Sequence, residues 1–193
     1  MTNLHQNKQP VLYLLICAAP PAQNMQEFIA MAQADGWDVC IIATPEATQF
    51  ISISELTDLT GHQVRSDYKL PGEADPLPKA DAMLVMPATF NTLNKLALGI
   101  GDTLAVSILC ESLGRGSPPI VAVPYLKLDL AAHPAFPKSI QFLQENGVRV
   151  LYDPEKYPSP VIVPWEVVLD ELHRIYHREK DSEMGDDKSS YSL

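Results

Sequence analysis

Apolar runs of strand length alternate with helix-like segments along the chain. Residues 11–18 form the first run, and residues 37–43, 82–86, 120–123 and 148–152 repeat it. An uninterrupted apolar run predicts a strand that is covered on both faces, as in a parallel sheet. The pattern therefore predicts an α/β fold with a central parallel sheet and helices on both faces.

The connecting segments have the periodicity of helices. Met25, Phe28, Ile29 and Ala32 recur at helical spacing, and Gly36 follows them as a stop signal. By the same reasoning we predict helices over residues 23–34, 92–113, 137–146 and 165–177. Two glycines, Gly99 and Gly101, mark a weak point in the second of these helices.

Shorter elements are expected between the second and third strands. Thr44 can cap a short helix that carries Ala47, Phe50 and Ile51. Residues 52–67 are interpreted as a loop with a minor strand or turn, and the proline-rich residues 67–79 as a connecting loop.

We predict one domain over residues 1–177 and a disordered tail over residues 178–193, which are polar and charged. The apolar run at residues 11–21 is too short to cross a membrane. A signal peptide is a weaker interpretation of this run, since only Lys8 precedes it as a basic residue and the fold pattern continues after it. A cytoplasmic protein with no membrane partner is the expectation.

The charge and the cysteine content argue against several classes of partner and site. The net charge of −10 and the lack of a basic cluster argue against a nucleic-acid partner. Cys17, Cys40 and Cys110 are odd in number and lack metal-ligand spacing, so neither a disulfide framework nor a zinc site is predicted. We expect buried, reduced thiols and no metal.

A ligand of a parallel sheet binds beyond the carboxyl ends of its strands. The segments that follow the strands are residues 18–21, 44–46, 87–92 and 124–127. The chain has neither a dinucleotide glycine fingerprint nor a Walker lysine loop, which favours a mononucleotide with one phosphate. Hydroxyls beside helix N-termini suit such an anion, although plain helix capping by Thr44 and Thr92 is the alternative.

The segment after the third strand carries a resemblance. Residues 87–92 read P-A-T-F-N-T, and Lys95-Leu96-Ala97 and Gly99-Ile100-Gly101-Asp102 follow. This resembles the P-A-S-A-N-T signature and the N-x-x-K-L-A-x-G-I-x-D extension of the homo-oligomeric flavin-containing cysteine decarboxylases. Thr44, Ala47 and Phe50 also resemble that family's T-x-x-A-x-x-F pattern, and the likeness covers about residues 11–150.

The resemblance implies a flavodoxin-like Rossmann fold with FMN bound non-covalently at a subunit interface. It also implies a homotrimer or a dodecamer built of trimers. Asn91 is the strongest candidate for contacting the flavin and acting at the reacting centre. By motif position the cofactor-binding residues would be Ala18, Ala19, Pro20, Thr44, Pro87, Ala88, Thr89, Asn91 and Thr92.

The chain also departs from that family. Glu73 stands where the family has a histidine, and it is either a proton-handling carboxylate or an exposed loop residue. Lys127 stands where the family has an asparagine, and it is either a carboxylate binder or a solvated lysine. His133 matches a frame residue, and residues 153–164 replace the family's glycine-rich flap.

Three functions follow from this likeness. The first is an FMN-dependent decarboxylase or oxidoreductase that acts on a small carboxylate, a cysteine-like substrate or a peptide C-terminus, with Asn91, Lys127 and Glu73 as candidate catalytic residues. Phosphopantothenoylcysteine decarboxylase itself is disfavoured by the departures. The second is an FMN-binding or regulatory flavoprotein without decarboxylation. Prenyl transfer is the third candidate. It is disfavoured because the serine and basic residues of flavin prenyltransferases are not evident.

Overall fold

The computed structural model describes residues 9–158 and 161–189, with side chains described as far as residue 178. Within these residues five strands form one parallel sheet in the order β2-β1-β3-β4-β5. The strands are β1 (Val11–Ile16), β2 (Asp38–Ala43), β3 (Ala82–Ala88), β4 (Ile120–Pro124) and β5 (Arg149–Val150). This confirms the predicted α/β class with a flavodoxin-like strand order.

Helices connect the strands on both faces of the sheet. They are α1 (Met25–Ala34), α2 (Ile53–Thr60), α3 (Phe90–Leu98), α4 (Leu104–Arg115), α5 (Leu128–Ala131), α6 (Ala135–Glu145) and α7 (Trp165–Ser189). Two short 3₁₀ turns, Pro20–Asn24 and Pro45–Gln49, follow β1 and β2. Most of the predicted helices are therefore present, with shifted bounds.

Alternation along the strands divides the core into two layers. Leu12, Leu14 and Ile16 of β1 belong to one cluster of buried residues, together with residues of α1 and α7. Val11 and Tyr13 belong to the opposite cluster, together with residues of α3, α4 and α6. Since both faces of β1 are covered, a continuous apolar run was the correct signal for this central strand.

The predicted helix over residues 92–113 is wrong in one respect, because the structure has two helices there. Gly99 ends α3 in the left-handed region at φ 69°, and its N–H donates to the carbonyl of Leu96 at 3.2 Å. Thr103 then caps α4 by accepting a hydrogen bond from the Val106 N–H at 3.4 Å. The break falls at the glycine pair that the sequence marked as weak.

Helix α2 was missed, since residues 52–67 were interpreted as a loop. Ser52 caps this helix by accepting a hydrogen bond from the Glu55 N–H at 3.4 Å, and Gly61 ends it at φ 72°. A serine three residues before a glutamate is a capping-box signal that the sequence displays. The predicted minor strand corresponds to a parallel bridge between Arg65 and Ile42.

The chain's last helix is longer than predicted. The sequence predicted its end at residue 177, whereas α7 extends to Ser189. Side chains beyond residue 178 and all of residues 190–193 lie outside the described part, so the predicted disorder of residues 178–193 stays a prediction. Among the described helices, none is long and apolar enough to cross a bilayer.

Candidate functional site

The strand order reverses between β1 and β3, and this reversal creates a crevice at their carboxyl ends. From β1 the chain crosses outward to β2, whereas β3 pairs with the other side of β1 and leads to β4. The connections that leave β1 and β3 therefore diverge to opposite faces of the sheet. Such a switch point is where open parallel sheets bind ligands.

A buried hydrogen-bond chain joins the two strand ends. The Cys17 thiol after β1 donates to the Thr92 hydroxyl of α3, with an Sγ to Oγ1 distance of 3.3 Å. The Thr92 hydroxyl lies 3.0 Å from that of Thr89. Both Cys17 and Thr92 are buried. The chain fixes the first turn of α3 against the end of β1.

The Cys17 thiol of this hydrogen-bond chain is a poor nucleophile. Burial raises the pKa of Cys17, and the Glu46 carboxylate adds to the rise, against the opposing hydrogen bonds from Thr92 and Thr89. A protonated thiol serves here as a hydrogen-bond donor. Sequence reasoning described Cys17 as a buried thiol and missed its contact with the motif, although its position directly after β1 is a usable signal.

Thr89, and not Thr92, caps helix α3. The Thr89 side chain accepts a hydrogen bond from the Thr92 N–H at 3.4 Å. The capping alternative for Thr92 is thus excluded, since its hydroxyl faces Cys17 and Thr89. The remaining amides of the first turn of α3 are left available to a ligand.

Asn91 occupies the second position of α3 and is exposed. Its side chain is therefore free to approach a ligand above the switch point. An amide offers one acceptor and two donors, which suits the mixed donor and acceptor edge of a flavin ring.

Thr44 stands at the end of β2 and is buried. Its backbone N–H donates to the carbonyl of Ile16 at 2.9 Å, which holds the ends of β1 and β2 together. Thr44 precedes the 3₁₀ turn Pro45–Gln49, but its side chain makes no capping bond to that turn. The capping alternative is therefore not observed for Thr44 either.

Small residues follow β1 in the crevice. Ala18 is half-buried, Ala19 is buried and extended, and Pro20 begins a 3₁₀ turn. Side chains of this size let a ligand approach the backbone closely. On the other side of the crevice, Pro87 and Ala88 lie in the buried end of β3.

Lys127 lies at the carboxyl end of the next strand, β4, as the residue before α5. It is exposed, and the Tyr125 N–H two residues earlier donates to the carbonyl of Ala88 at 2.9 Å. This bond holds the segment with Lys127 beside the end of β3. The structure thus places Lys127 at the same sheet edge as Asn91.

Glu73 lies in the long loop that precedes β3. Its carboxylate accepts a hydrogen bond from the Leu70 N–H of the same loop at 3.0 Å. It also lines a polar cavity of about 520 Å³ formed by residues 63–76. Among the described residues, no hydrogen bond joins Glu73 to Asn91 or Lys127.

An apolar recess lies next to Lys127, and part of the segment that replaces the flap contributes to its lining. Tyr125, Tyr152 and Tyr157 line it, together with Leu126 and Leu128. The cavity is small, about 20 Å³. Sequence reasoning missed the convergence of these three tyrosines, because it depends on how residues 151–157 fold back over β4.

Phe90 packs away from the crevice. Its ring lies 5.5 Å from that of His133 and 6.3 Å from that of Phe136, between ring centroids. The bulkier residue in the motif therefore fills the contact between α3 and α6.

A family profile described as Flavoprotein matches residues 2–174. The chain belongs to the Flavoprotein family. Epidermin decarboxylase of Staphylococcus epidermidis is 27% identical over 150 residues, which cover 76% of this chain and 80% of that protein. The bifunctional coenzyme A biosynthesis protein CoaBC of Bacillus subtilis is 29% identical over 128 residues, which cover 63% of this chain and 30% of CoaBC.

The chain spans about a third of the length of the bifunctional relatives that it matches. Among solved structures, the FMN-dependent cysteine decarboxylase TvaF from thioviridamide biosynthesis superposes with a TM-score of 0.73 at 21% identity. The match covers 88% of this chain and 99% of TvaF. This likeness confirms the flavodoxin-like fold.

The crevice of this Flavoprotein member suits a flat ligand that carries one phosphate. The small residues Ala18 and Ala19 leave room for close backbone approach, and the first-turn amides of α3 suit an anion. Asn91 and Thr44 add polar groups that form no cap bond of their own. The residues present therefore fit a flavin mononucleotide.

Proposed function

We propose that this Flavoprotein member binds FMN at the β1/β3 switch point. The observation that carries this proposal is the Cys17–Thr92–Thr89 chain, which fixes the P-A-T-F-N-T segment beside the small residues after β1. Ala18, Ala19, Pro20 and Thr44 would contact the cofactor from the β1 and β2 side. Pro87, Ala88, Thr89, Asn91 and Thr92 would contact it from the β3 side.

The reaction we propose is a flavin-dependent decarboxylation or oxidation of a small carboxylate, a cysteine-like compound or a peptide C-terminus. Bound FMN would accept two electrons from the substrate. The Lys127 ammonium would bind the substrate carboxylate at the carboxyl end of β4, and the Asn91 amide would orient the reacting groups. Glu73 would have to reach a reacting centre from its own loop or in a neighbouring subunit.

Phosphopantothenoylcysteine is not the substrate that we propose. Glu73 and Lys127 replace a histidine and an asparagine of the resembled decarboxylases, and residues 153–164 replace their glycine-rich flap. The altered groups change charge as well as size, since an ammonium replaces an amide at position 127. A different acid or peptide fits these changes better.

An absorption spectrum of the purified protein, with mass spectrometry of the cofactor released on denaturation, tests the first part. Oxidised-flavin bands and released FMN are expected. A colourless protein that takes up no added FMN would contradict the cofactor assignment. Anaerobic bleaching of the flavin by cysteine-terminated peptides or other acids then tests the reaction.

A non-decarboxylating FMN-binding or regulatory protein is the second candidate. The observation that favours it is the position of Glu73, whose carboxylate is bonded within its own loop. A flavin that binds normally but is bleached by no acid or thiol would support this candidate over the decarboxylase.

We also propose a homotrimer or a dodecamer of trimers. Large apolar side chains are exposed in the single chain, including Leu98 at 72% and Leu128 at 65%. Exposed apolar surface favours contact with other copies. Light scattering coupled to size-exclusion chromatography would show three or twelve chains, and a monomer would contradict this proposal.

A further inference from the structure

Three metal-ligating side chains meet at the amino end of β2, opposite to the flavin crevice. Asp38 and Cys40 belong to β2, and His62 follows the end of α2. One carboxylate oxygen, one thiol sulfur and one imidazole nitrogen all lie within 4.8 Å of one another. The cluster combines oxygen, sulfur and nitrogen donors in one place.

The fold holds the two strand ligands rigidly. Asp38 and Cys40 are two residues apart, so their side chains project from the same face of β2. The Asp38 N–H donates to the carbonyl of Pro10 at 2.9 Å, and Cys40 pairs with Tyr13 of β1. Both ligands therefore come from a strand whose backbone is anchored to the centre of the sheet.

The third ligand is positioned by the end of α2. Gly61 turns the chain at φ 72°, and the His62 N–H then donates to the buried Thr60 hydroxyl at 3.2 Å. Three residues later, the Arg65 N–H donates to the carbonyl of Ile41 at 3.1 Å. These bonds hold the segment that carries His62 alongside β2.

The present contact between two of the ligands is a hydrogen bond. His62 Nε2 lies 2.7 Å from Asp38 Oδ1, and both side chains are partly exposed, while Cys40 is buried behind them. Zinc is bound by cysteine sulfur, histidine nitrogen and carboxylate oxygen, with bonds of about 2.0–2.3 Å. A small separation of donor atoms, with access from solvent, suits such an ion.

We propose that Asp38, Cys40 and His62 bind one zinc ion, with water as the fourth ligand. The ion takes the place of the hydrogen bond between Asp38 and His62, so that the neutral imidazole binds through Nε2 and carries its one proton on Nδ1. The Cys40 thiol releases its proton to solvent as the sulfur–zinc bond forms. One carboxylate, one thiolate and a neutral imidazole balance the two positive charges. The metal site is therefore electrically neutral, which suits its half-buried position.

This zinc site has a structural consequence. Strand β2 is an edge of the sheet, and the segment from His62 to Arg65 covers its outer side. An ion bound by β2 and by the segment from His62 to Arg65 would link the edge strand to the segment that covers it. The proposal departs from the sequence-based expectation of no metal. That expectation was based on the spacing of the cysteines, which carries no information about the position of His62.

Cobalt titration of the chelator-treated full chain tests the site. Because a cobalt–thiolate bond gives a charge-transfer band, one equivalent of Co²⁺ should produce this band, and Zn²⁺ should abolish it by displacement. Cys40→Ser should remove the band, and Cys110→Ser should leave it unchanged, since Cys110 lies on α4. A band that persists in Cys40→Ser, or no band in the parent protein, would overturn the proposal.

A second measurement guards against misfolding of the buried Cys40 variant. His62→Gln can keep a hydrogen bond to Asp38 without providing imidazole. In the parent protein, Zn²⁺ at a hundredfold excess over its Kd should raise Tm by about 5–10 °C. In His62→Gln that rise should be lost while flavin uptake is unchanged. An equal rise in both proteins would contradict the assignment of His62.

Discussion

The carboxyl edge of the sheet has two unlike halves. The half that we propose for the cofactor, residues 17–19 and 89–92, is held by buried hydrogen bonds and contains the segment that resembles a known signature. We call it the cofactor half. The half that we propose for the substrate, residues 124–128 and 151–157, contains the exposed Lys127 and a tyrosine-lined recess. We call it the substrate half. The two halves meet where the Tyr125 N–H donates to the carbonyl of Ala88.

Under the proposed function, this difference would separate binding of the cofactor from choice of the substrate. A rigid, dry contact positions a ligand at low cost in entropy, which suits a group that stays bound. An exposed edge with altered charge would instead set which acid is recognised. Substitutions in one half should therefore change flavin affinity, and substitutions in the other should change turnover.

The largest effect is expected from Asn91→Ala in the cofactor half. Loss of the amide would remove the proposed hydrogen bonds to FMN, and the Kd should rise about 100-fold, equivalent to about 2.7 kcal/mol. Because Asn91 is exposed, the stability of the flavin-free protein should stay unchanged. Fluorescence titration with FMN measures the affinity.

The matched control for this change is Asn146→Ala, after α6. Its side chain donates to the carbonyl of Phe142 at 2.8 Å, far from the carboxyl edge. This variant should bind FMN as the parent does. Equal losses of FMN affinity in both variants would contradict the assignment of Asn91 as a cofactor-binding residue.

Phe90→Ala should separate packing from cofactor binding within one motif. The ring contacts His133 and Phe136, so its loss should lower the free energy of unfolding by about 2 kcal/mol. FMN affinity should change little, because the ring faces α6. Urea unfolding and FMN titration on the same samples give both values, and an intact stability with lost affinity would contradict this assignment.

Lys127→Met should act on the substrate half alone. The loss of a partly screened ammonium–carboxylate contact should lower kcat/KM about tenfold for a carboxylate substrate. FMN affinity should be preserved. Lys138→Met on α6 is the control, since that lysine is also exposed. An unchanged kcat/KM in Lys127→Met would show that Lys127 is a solvated surface residue that does not bind the substrate.

Sequence reasoning succeeded where the signal was local. The apolar run of β1 and the glycine pair after α3 each predicted a feature that the structure contains. The capping box at Ser52 was also local but was overlooked, so α2 was missed. The position of Cys17 directly after β1 was a local signal as well, but its partner Thr92 is set by the pairing of β1 with β3, which the sequence does not display.

The pH dependence of the stability tests how dry the cofactor half is. Burial raises the pKa of Cys17 above its ordinary value of 9.0. The folded protein thus holds this proton more tightly than the unfolded chain, so the stabilisation is complete below pH 9 and is lost as pH rises above it. The free energy of unfolding should fall by at most about 1.4 kcal/mol per pH unit for this thiol.

Cys17→Ser isolates this contribution, because serine keeps a donor for Thr92 and does not ionise in this range. Cys40 and Tyr13, whose pKa values burial raises to about 12, add slopes of the same sign in both proteins. The parent should therefore lose stability more steeply than Cys17→Ser between pH 9 and 11 in urea unfolding. Parallel curves would mean that water reaches the thiol, and the contrast between a dry cofactor half and a wet substrate half would fail at its central residue.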